Sequence, residues 1–238
     1  MKPVRKICAV VPVKETRAAK QRLAGILTGE QRQLLAQTMF EDVLSALAQA
    51  AGLAAILVAT VDRAIAEIAG RYGAEVSEEA ASEGHTAAVA AAAGRLDASG
   101  FDLLTVPADI PLLQSEDIRQ LLSVHHAAVD AEAPRFTIVP ARDERGSNAV
   151  LCSPAGAVPL RFGEDSFLPH LAAARTRGLE PLVLRLSHVE LDIDTPEDLA
   201  ALLRERAPTR THALLAAWGP LPLRFNSAGT GSDGAAAL

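Results

Sequence analysis

Residues 101–113 have the sequence FDLLTVPADIPLL, in which a short apolar run leads into an acidic loop. The run is typical of a buried strand, and Asp109 follows it between Pro107 and Pro111, which restrict the backbone on both sides. Where strands alternate with helices, ligands bind beyond the carboxyl ends of the strands. The stretch therefore predicts an α/β sheet with a carboxylate at its ligand-binding edge. An alternative role for Asp109 is to cap a helix or a turn.

A second acidic stretch, LDIDTP at residues 191–196, follows the apolar run 181–186. Asp192 and Asp194 alternate along an expected strand end, so they point to opposite faces and only one can readily face Asp109. We rank Asp192 slightly above Asp194 as a metal ligand, because Asp194 can instead stabilise the start of the next helix. Carboxylates from two distant parts of the chain can hold Mg²⁺ between them. This combination points to phosphate chemistry.

The rest of the chain alternates between strand and helix patterns. Strands are predicted at 7–11, 53–60, 74–76, 101–106, 135–141 and 148–152, with extended chain at 182–186 and 189–192. Helices are predicted from Thr28, from Asp62, over 83–95, from Ser115, over 164–177 and from Thr195. The strongest helix start is Thr195-Pro196-Glu197-Asp198, with Thr at the cap and Pro at the first position. The alternation favours a three-layer, mainly parallel, Rossmann-like α/β fold.

The composition suits one such domain. The chain has 238 residues, of which 49% are hydrophobic, and this is enough for a full α/β core. Its net charge of −6 argues against a nucleic-acid-binding protein. The start of the chain is nevertheless basic, which suits a small, highly anionic ligand. Its basic residues are Lys2, Arg5, Lys6, Lys14, Arg17, Lys20 and Arg22, opposed only by Glu15.

The character of the chain changes after Arg206. We therefore divide it into a domain over residues 1–206 and a C-terminal tail over residues 207–238, rich in Pro, Gly, Ala, Ser and Thr. We expect the tail to be disordered from about Ser227. Its apolar residues can dock on the domain or on a neighbouring subunit, which allows a homodimer. These residues are Trp218, Leu221, Leu223 and Phe225.

Neither cysteine suggests a disulfide or a metal site. Cys8 and Cys152 have no CxxC spacing, and we expect both to be reduced core residues. The apolar run 7–13 is too short for a signal peptide or a membrane span and is followed by Lys14. We therefore expect a cytoplasmic protein with no membrane partner.

The loop after the first predicted strand carries Pro12, Lys14, Lys20 and Arg22 in the spacing P-x-K-x5-K-x-R-L. It contains no glycine before Gly25, so its backbone cannot wrap phosphates as a P-loop does. Lys and Arg side chains would grip the phosphates instead. A solvated basic loop is the alternative, but a basic cluster directly after the first strand favours binding of an anionic ligand.

Five motifs, in this order, resemble those of the CofC family, the guanylyltransferases of coenzyme F-420 biosynthesis, which have a GT-A-type nucleotidyltransferase fold. The resemblance covers residues 8–203, so the expected nucleotidyltransferase domain is residues 1–206. The motifs are Val11-Pro12-Val13-Lys14 with Lys20-x-Arg22-Leu23-Ala24; Pro107-Ala108-Asp109-Ile110-Pro111-Leu112; Gly146-Ser147-Asn148-Ala149; Phe162-Gly163 with Ser166-Phe167 and His170; and Asp192-Ile193-Asp194-Thr195-Pro196-Glu197-Asp198-Leu199.

The resemblance implies that GMP is transferred from GTP to the phosphate of a small phosphorylated carboxylic acid, with release of pyrophosphate. The acceptors known in the family are 2-phospho-L-lactate, phosphoenolpyruvate and 3-phospho-D-glycerate. Two alternatives stay open. One is a nucleotidyltransferase for another acceptor such as a molybdopterin, against which the missing Gly-rich first loop argues. The other is a non-catalytic nucleotide-sensing protein, against which the retained acidic sites and the basic set argue.

The resemblance also assigns roles to individual residues. Mg²⁺ would be held by Asp109, Asp192 and Asp194. Lys14, Lys20, Arg22 and Asp109 would be catalytic, and together with Pro12 and Gly84 they would bind the nucleotide. The acceptor would lie against Ser147, Gly163 and Ser166. Backbone N–H groups at a helix start suit an anion, and Gly163 precedes a predicted helix.

Three places depart from the pattern of that family, one of them the turn before Ser147, which has fewer Gly and Thr residues than expected. The chain has Gly84-His85-Thr86 where Gly-Leu-Asn is common, which bears on guanine recognition, and Glu164 and Asp165 add negative charge beside the expected acceptor site. We interpret His170 as a helix residue that packs or bonds locally. A phosphate nucleophile is already anionic at neutral pH, so the transfer needs little base catalysis.

Overall fold

The computed structural model describes residues 5–127, 133–163, 165–205 and 207–222. The strands are β1 (Lys6–Pro12), β2 (Leu53–Ala59), β3 (Glu75–Ser77), β4 (Phe101–Thr105), β5 (Arg135–Pro140), β6 (Ser147–Ser153) and β7 (Leu182–Val183). The helices are α1 (Gly29–Gln49), α2 (Arg63–Arg71), α3 (His85–Ala98), α4 (Ser115–His126), α5 (Phe167–Thr176), α6 (Ser187–Glu190), α7 (Pro196–Leu202) and α8 (Arg210–Trp218).

The strands form one sheet in the order β3-β2-β1-β4-β6-β5-β7. Neighbouring strands are parallel except at β6, which runs antiparallel to both β4 and β5. The predicted mainly parallel α/β sheet is therefore confirmed. Because β6 is reversed, its first residue, Ser147, lies at the same edge as the carboxyl ends of β1 and β4. That edge carries the candidate site.

Two layers of helices cover the sheet, because alternate residues of each strand face opposite sides. Ile7, Ala9 and Val11 of β1 pack with buried residues of α1, α2 and α4. Cys8 and Val10 face the other side, where they pack against α3. On that second side α5 covers β5 and β6. Both cysteines are free and buried, as predicted.

A smaller apolar cluster, which we call the satellite core, lies beyond the carboxyl edge of the sheet. It joins the loop after β1, the loop after β4 and the acidic stretch near the end of the chain, so three distant segments are held in fixed positions. Its buried members are Leu23, Leu27, Leu35, Met39, Leu112, Leu191, Ile193, Leu199, Leu202 and Leu215. Burial of about ten such side chains contributes on the order of 1.5–3 kcal/mol each relative to exposure.

Several helix starts follow the predicted capping chemistry. Thr28 and Thr195 each form a capping box with the residue three positions later, and Asp62 accepts hydrogen bonds from the first backbone N–H groups of α2. At α4 the cap is Gln114 with Asp117 rather than the expected Ser115. The Asp117 carboxylate accepts a hydrogen bond of 2.9 Å from the Gln114 N–H, and Ser115 is the first helical residue.

Two predicted elements are wrong. Helix α5 begins at Phe167 and not at 164, because Asp165 has a left-handed φ of 56° that interrupts a helix. Residues 187–190 form the short helix α6, whereas we expect extended chain from 189. There the N–H of Glu190 is bonded to the carbonyl of Leu186, four residues back, which closes a helical turn.

The segment after 206 includes helix α8, which packs on α1. Buried Asp42 of α1 accepts hydrogen bonds from the backbone N–H groups of Arg210 and Thr211 and from the Thr211 hydroxyl. Trp218 and Leu221 pack against the satellite core of their own chain. The domain boundary at 206 and the homodimer stay predictions. Leu223, Phe225 and the residues from Ser227 onward lie outside the described residues, as does Glu164.

Among the helices that the structure describes, none combines the length and the apolar character needed to cross a membrane.

Candidate active site

The candidate site lies where the sheet changes direction of winding. β1 and β4 are neighbours, and the chain leaves β1 toward β2 on one side while β4 continues toward the other. Such a switch point leaves a crevice at the carboxyl ends of the two strands. The loops that flank it are tied together by a hydrogen bond of 3.0 Å from the backbone N–H of Ile193 to the carbonyl of Asp109. The two acidic stretches of the sequence therefore meet, as predicted.

Lys20 forms the centre of a charged cluster. Its Nζ donates to Asp109 Oδ2 at 2.6 Å and to Asp194 Oδ1 at 2.8 Å, and its side chain is only 8% exposed. Burial alone would lower the pKa of Lys20, but the charges of Asp109 and Asp194 outweigh burial and raise that pKa above its ordinary value. Lys20 is therefore an ammonium that links the carboxylates of two distant loops.

The backbone around Lys20 supports this geometry. Lys20 adopts a left-handed φ of 52° and precedes a short 3₁₀ turn, Gln21–Leu23, whose Leu23 is fully buried in the satellite core. The anchored Leu23 fixes the position from which the Lys20 side chain reaches inward. The loop is therefore folded around Lys20 and Leu23, whereas Lys14, Arg17 and Arg22 are exposed. A non-glycine residue with positive φ costs free energy, and such residues are often found at functional sites.

Asp194, rather than Asp192, shares a cation with Asp109. Burial would raise the pKa of Asp194, but Lys20 and then Arg22 act against it and hold that pKa below its usual range. The expectation that the two aspartates alternate along a strand end is wrong, because they follow helix α6 and adopt no strand. The carboxylate of Asp194 is occupied by the ion pair with Lys20. The side chain that caps helix α7 is that of Thr195 and not that of Asp194.

Asp192 lies in a different environment. Its Oδ1 accepts a hydrogen bond of 3.1 Å from Asn148 Nδ2, and the same amide donates to the carbonyl of Val189 at 3.0 Å. Burial, and then the negative charge of Asp109, raise the pKa of Asp192 to about 6. An ionised Asp192 at neutral pH is thus electrostatically unfavourable in the free protein, and a further cation nearby would stabilise it.

The donor chemistry of this cluster fits Mg²⁺ in one particular way. Carboxylate oxygens are the ligands that hard cations prefer, and Mg²⁺ is usually held by one or two carboxylates together with phosphates of the substrate. Within the described ranges, no group of three or more His, Cys, Asp or Glu side chains has the arrangement of a metal site. The residues therefore fit a cation that a nucleotide helps to hold, and not a site complete without it.

A cleft of about 600 Å³ opens beside the charged cluster. Its lining is strongly charged: Arg142 pairs with Asp198 at 3.1 Å, and Arg145 pairs with Asp165 at 2.6 Å. Two glycines, Gly146 and Gly163, also line the cleft and carry no side chain over the backbone. The other lining residues are Arg22, Ala141, Asp143, Glu190, Leu191, Asp192, Asp194 and Thr195.

The predicted acceptor residues lie next to this cleft. Ser166 Oγ is 3.2 Å from Ser147 Oγ, although the two residues are 19 positions apart. Gly163 lines the cleft with a φ of +139°, a value that side chains rarely adopt, so the position requires glycine for its backbone conformation. Its expected place at a helix start is wrong, since α5 begins four residues later.

Of the six predicted nucleotide residues, Arg22 alone lines the cleft, while Lys20 and Asp109 lie in the charged cluster beside it and the other three lie elsewhere. Pro12 is buried at the end of β1, Lys14 is exposed just beyond it, and Gly84 precedes α3 with a φ of 105°. The start of α3 nevertheless reaches the acceptor side. The His85 ring stacks on Phe162 with centroids 4.2 Å apart, and Thr86 Oγ1 accepts from the N–H of Phe162 at 2.9 Å and donates to its carbonyl at 3.1 Å.

Sequence reasoning missed the functional context of two polar residues. Asn148 lies in the quoted Gly146-Ser147-Asn148-Ala149 motif, and its position directly after a candidate ligand-binding serine is a signal that could have found it. His170, which we interpreted as locally bonded, instead contacts Ser147, 23 residues away. No local pattern predicts that contact, because it depends on how α5 packs over β6.

Comparison with known proteins gives a consistent result. A family model described as "Guanylyl transferase CofC like" matches residues 7–219. A phosphoenolpyruvate guanylyltransferase of Roseiflexus castenholzii is 38% identical over 87% of this chain and 92% of its own length. A 3-phospho-D-glycerate guanylyltransferase of Colwellia psychrerythraea is 35% identical over 84% of this chain and 92% of its own. A 2-phospho-L-lactate guanylyltransferase of Methanothermobacter thermautotrophicus is 34% identical over 83% and 84% respectively.

A solved structure supports the fold. A nucleotidyl transferase from Methanothermobacter thermautotrophicus superposes with a TM-score of 0.59 over 89% of this chain and 99% of its own, at 17% identity. At that identity the likeness concerns the fold alone. It confirms the nucleotidyltransferase architecture expected from the sequence motifs.

Proposed function

Because the chain belongs to the CofC-like guanylyltransferase family, we propose that it transfers GMP from GTP to the phosphate of a small phosphorylated carboxylic acid in the cytoplasm. The acceptor is 2-phospho-L-lactate, phosphoenolpyruvate or 3-phospho-D-glycerate, and the step belongs to coenzyme F-420 biosynthesis. Guanylyltransferases named for these three acceptors are all among the relatives.

One juxtaposition supports the proposal above all. Ser147 and Asn148 are consecutive in β6, and Asn148 holds Asp192 at 3.1 Å while Ser147 bonds to Ser166. Two adjacent residues of one strand thus connect the charged cluster to the pair of hydroxyls. A transferase needs its two substrates side by side with reacting atoms within a few ångströms. This arrangement suits a polyphosphate on the charged side and a small acid on the hydroxyl side.

The reaction forms one bond and breaks one. An oxygen of the acceptor's phosphate attacks the α-phosphorus of GTP, and the bond from that phosphorus to the oxygen bridging the β-phosphate breaks. Pyrophosphate leaves with the electron pair. The nucleophile is already anionic, so no side chain has to remove a proton from it.

The charged residues then act by stabilising charge. Lys20 and Arg22 would carry positive charge to the phosphates, where charge-assisted hydrogen bonds are strongest. Asp109, with Asp192 and Asp194, would hold Mg²⁺, which when bound neutralises phosphate charge as pyrophosphate departs. Lys14, at the exposed end of β1, would meet the phosphates from the solvent side.

The test is a reaction panel with the purified protein and Mg²⁺. GTP, ATP, CTP and UTP are each combined with each of the three acceptors and with a molybdopterin, and pyrophosphate release is measured, with the product identified by mass. We expect release with GTP and at least one acceptor, and none without acceptor. GTP binding without release in any mixture would support a nucleotide sensor, and release only with a molybdopterin would support the other alternative.

A further inference from the structure

His170 lies directly behind the pair of hydroxyls and uses both of its ring nitrogens. Its Nε2 is 2.9 Å from the backbone nitrogen of Arg161, and its Nδ1 is 3.0 Å from Ser147 Oγ. The residue is 1% exposed, and its ring meets the edge of Phe162 with centroids 5.0 Å apart. It belongs to α5, which covers β5 and β6. The ring is therefore fixed in position and in orientation.

The contact with Arg161 determines where the ring proton lies. A backbone N–H can only donate, so Nε2 of His170 must accept. The single proton of a neutral imidazole then lies on Nδ1 and is donated to Ser147 Oγ. Burial lowers the pKa of His170 to about 4, which keeps the ring neutral at physiological pH. The tautomer follows from the geometry and is not free to change.

This tautomer leaves the two serines with a surplus proton. Ser147 Oγ receives a hydrogen bond from the imidazole, and the 3.2 Å bond between Ser147 and Ser166 consumes one of the two hydroxyl protons. The other hydroxyl proton remains to be donated outside the trio, whichever serine carries it. With the opposite tautomer, Nδ1 would accept the Ser147 proton, the Ser166 proton would go to Ser147, and none would remain.

We propose that His170 is a positioning residue that polarises the Ser147–Ser166 pair into a hydrogen-bond donor for the anionic group of the acceptor. The inference rests on the proposed function and deepens it. His170 itself does not touch the substrate. It acts through Ser147, whose neighbour Gly146 lines the cleft, as do Gly163 and Asp165 near Ser166. An anion can only accept hydrogen bonds, so the direction of this chain of bonds decides whether the site attracts or repels it.

Three replacements separate the two bonds of the ring. In His170→Asn the amide nitrogen corresponds to Nδ1 and can still donate to Ser147. In His170→Gln the amide oxygen corresponds to Nε2 and can still accept from Arg161, but the bond to Ser147 is lost. His170→Phe keeps the ring and loses both bonds. We expect KM for the acceptor to rise about tenfold in the Gln and Phe variants, since a hydrogen bond to a charged group is lost. The Asn variant should stay within about threefold of wild type, and the Kd for GTP should not change in any of them.

His125 provides a matched control. It is also 1% exposed, and its ring nitrogens also contact hydroxyls, those of Thr137 at 2.7 Å and Ser153 at 2.8 Å. It lies in α4 and does not line the cleft. His125→Phe should lower thermal stability about as much as His170→Phe without changing KM for the acceptor. Equal increases of KM in both Phe variants would show general loosening and overturn the inference.

A measurement that needs no turnover completes the test. The ¹⁵N chemical shifts of the imidazole report directly which nitrogen carries the proton. At pH 7 the wild-type protein should show His170 neutral with the proton on Nδ1, and a proton on Nε2 or a charged ring would overturn the inference even if the enzyme is active. If the wild type releases no pyrophosphate with any acceptor, the proposed function fails, and the shifts still decide the tautomer. If the wild type is active but the Gln variant keeps a normal KM, only the role of His170 fails.

Discussion

The cluster around Lys20, which we call the charged side of the candidate site, and the trio Ser147, Ser166 and His170, which we call its neutral side, differ in how each could hold an anion. On the charged side, the buried ammonium of Lys20 lies 2.6 and 2.8 Å from two carboxylates, the pKa of Lys20 is raised, and the pKa of Asp194 is lowered. On the other side, Ser147, Ser166 and His170 are neutral and are joined by bonds of 3.0 and 3.2 Å. Charges act over distance and follow the changing charge of a reacting polyphosphate. Neutral donors act only at close range and in fixed directions, which suits the recognition of a small acid by shape.

The two sides are also built from different structural elements. The charged side is assembled from loops that the satellite core holds together, through Leu23, Leu112 and Ile193. The residues of the neutral side belong to β6 and to the start of α5, and these two elements pack together through buried apolar side chains. Loops can adjust when a nucleotide binds and pyrophosphate leaves, whereas a strand and a helix keep a pocket constant. We expect substitutions on the charged side to change turnover and those on the neutral side to change acceptor affinity.

The largest effect should come from Asp109→Asn. The change keeps the shape of the side chain but removes a charge that Lys20 contacts at 2.6 Å. We expect turnover to fall by roughly a hundredfold or more, the size of losing a principal electrostatic contact in a transition state. Steady-state kinetics at saturating substrates measures it, with circular dichroism to confirm folding. Near-normal turnover in a folded variant would contradict the assignment of Asp109.

Ser166→Ala should have the next largest effect, and it tests the neutral side of the candidate site. The change removes one of the two hydroxyls that can meet the acceptor's anion. A lost hydrogen bond to a charged group costs about 1.5–3 kcal/mol of acceptor binding. Titration with acceptor at saturating GTP should show this loss, and titration with GTP alone should not. If the variant instead lost affinity for GTP alone, the serine pair would belong to the nucleotide site, and the proposed division between the two sides would be wrong.

Arg22→Ala tests whether the charged side serves the nucleotide alone. Arg22 lines the cleft, and its charge helps to lower the pKa of Asp194. We expect GTP affinity and turnover to fall about tenfold, the size of one charge-assisted contact, and by the same factor with every acceptor that is used. Arg17→Ala, an exposed change in the same loop, is the matched control and should have little effect. Loss of acceptor affinity with normal GTP binding would reverse the assignment of the loop.

Asp192→Asn should raise stability while it lowers activity. The pKa of Asp192 is about 6 in the folded protein and near 3.8 when unfolded, so the folded state binds more protons between these values. Ionisation of Asp192 therefore reduces stability as pH rises through about 6. Without divalent metal, the variant should be about 1–2 kcal/mol more stable than wild type at pH 7, and the difference should close below pH 4. Denaturant titrations of both proteins at pH 7 and below pH 4 measure this difference in the free energy of unfolding. A wild type that is more stable than the variant at pH 7 would contradict the prediction.

How much of the fold and of the candidate site could be predicted from the sequence depends on how far apart the interacting residues are in the chain. Asp109, Lys20 and Asp194 each follow a strand or precede a helix, so local pattern and the general position of ligands in α/β sheets bring them to one edge. The link from Asn148 to Asp192 spans 44 residues and depends on side chains of two elements that are not neighbours in sequence. Periodicity carries no information on such a contact.

The start of α5 shows the same limit. The sequence from 164 onward is compatible with a helix, but the backbone N–H of Phe167 is bonded to the carbonyl of Arg145 in the turn before β6. That tertiary bond and the left-handed Asp165 delay the helix to Phe167. The delay places Ser166 at the end of a loop, where its hydroxyl reaches Ser147. The local error in prediction therefore concerned a residue that we propose to bind the acceptor.

The smallest effect should come from Thr86→Val. Whether it weakens binding of the acceptor or of GTP decides which substrate the start of α3 serves. The family motif assigns this region to the nucleotide, but Thr86 Oγ1 holds the backbone of Phe162 with bonds of 2.9 and 3.1 Å, beside Gly163 on the acceptor side. Valine keeps the branched shape and removes both bonds, so the loop should loosen at a cost of about 1 kcal/mol. We expect KM for the acceptor to rise about threefold with GTP affinity unchanged. Thr38→Val, whose hydroxyl bonds only within α1, is the control. A larger loss for GTP than for acceptor would move the start of α3 to the charged side.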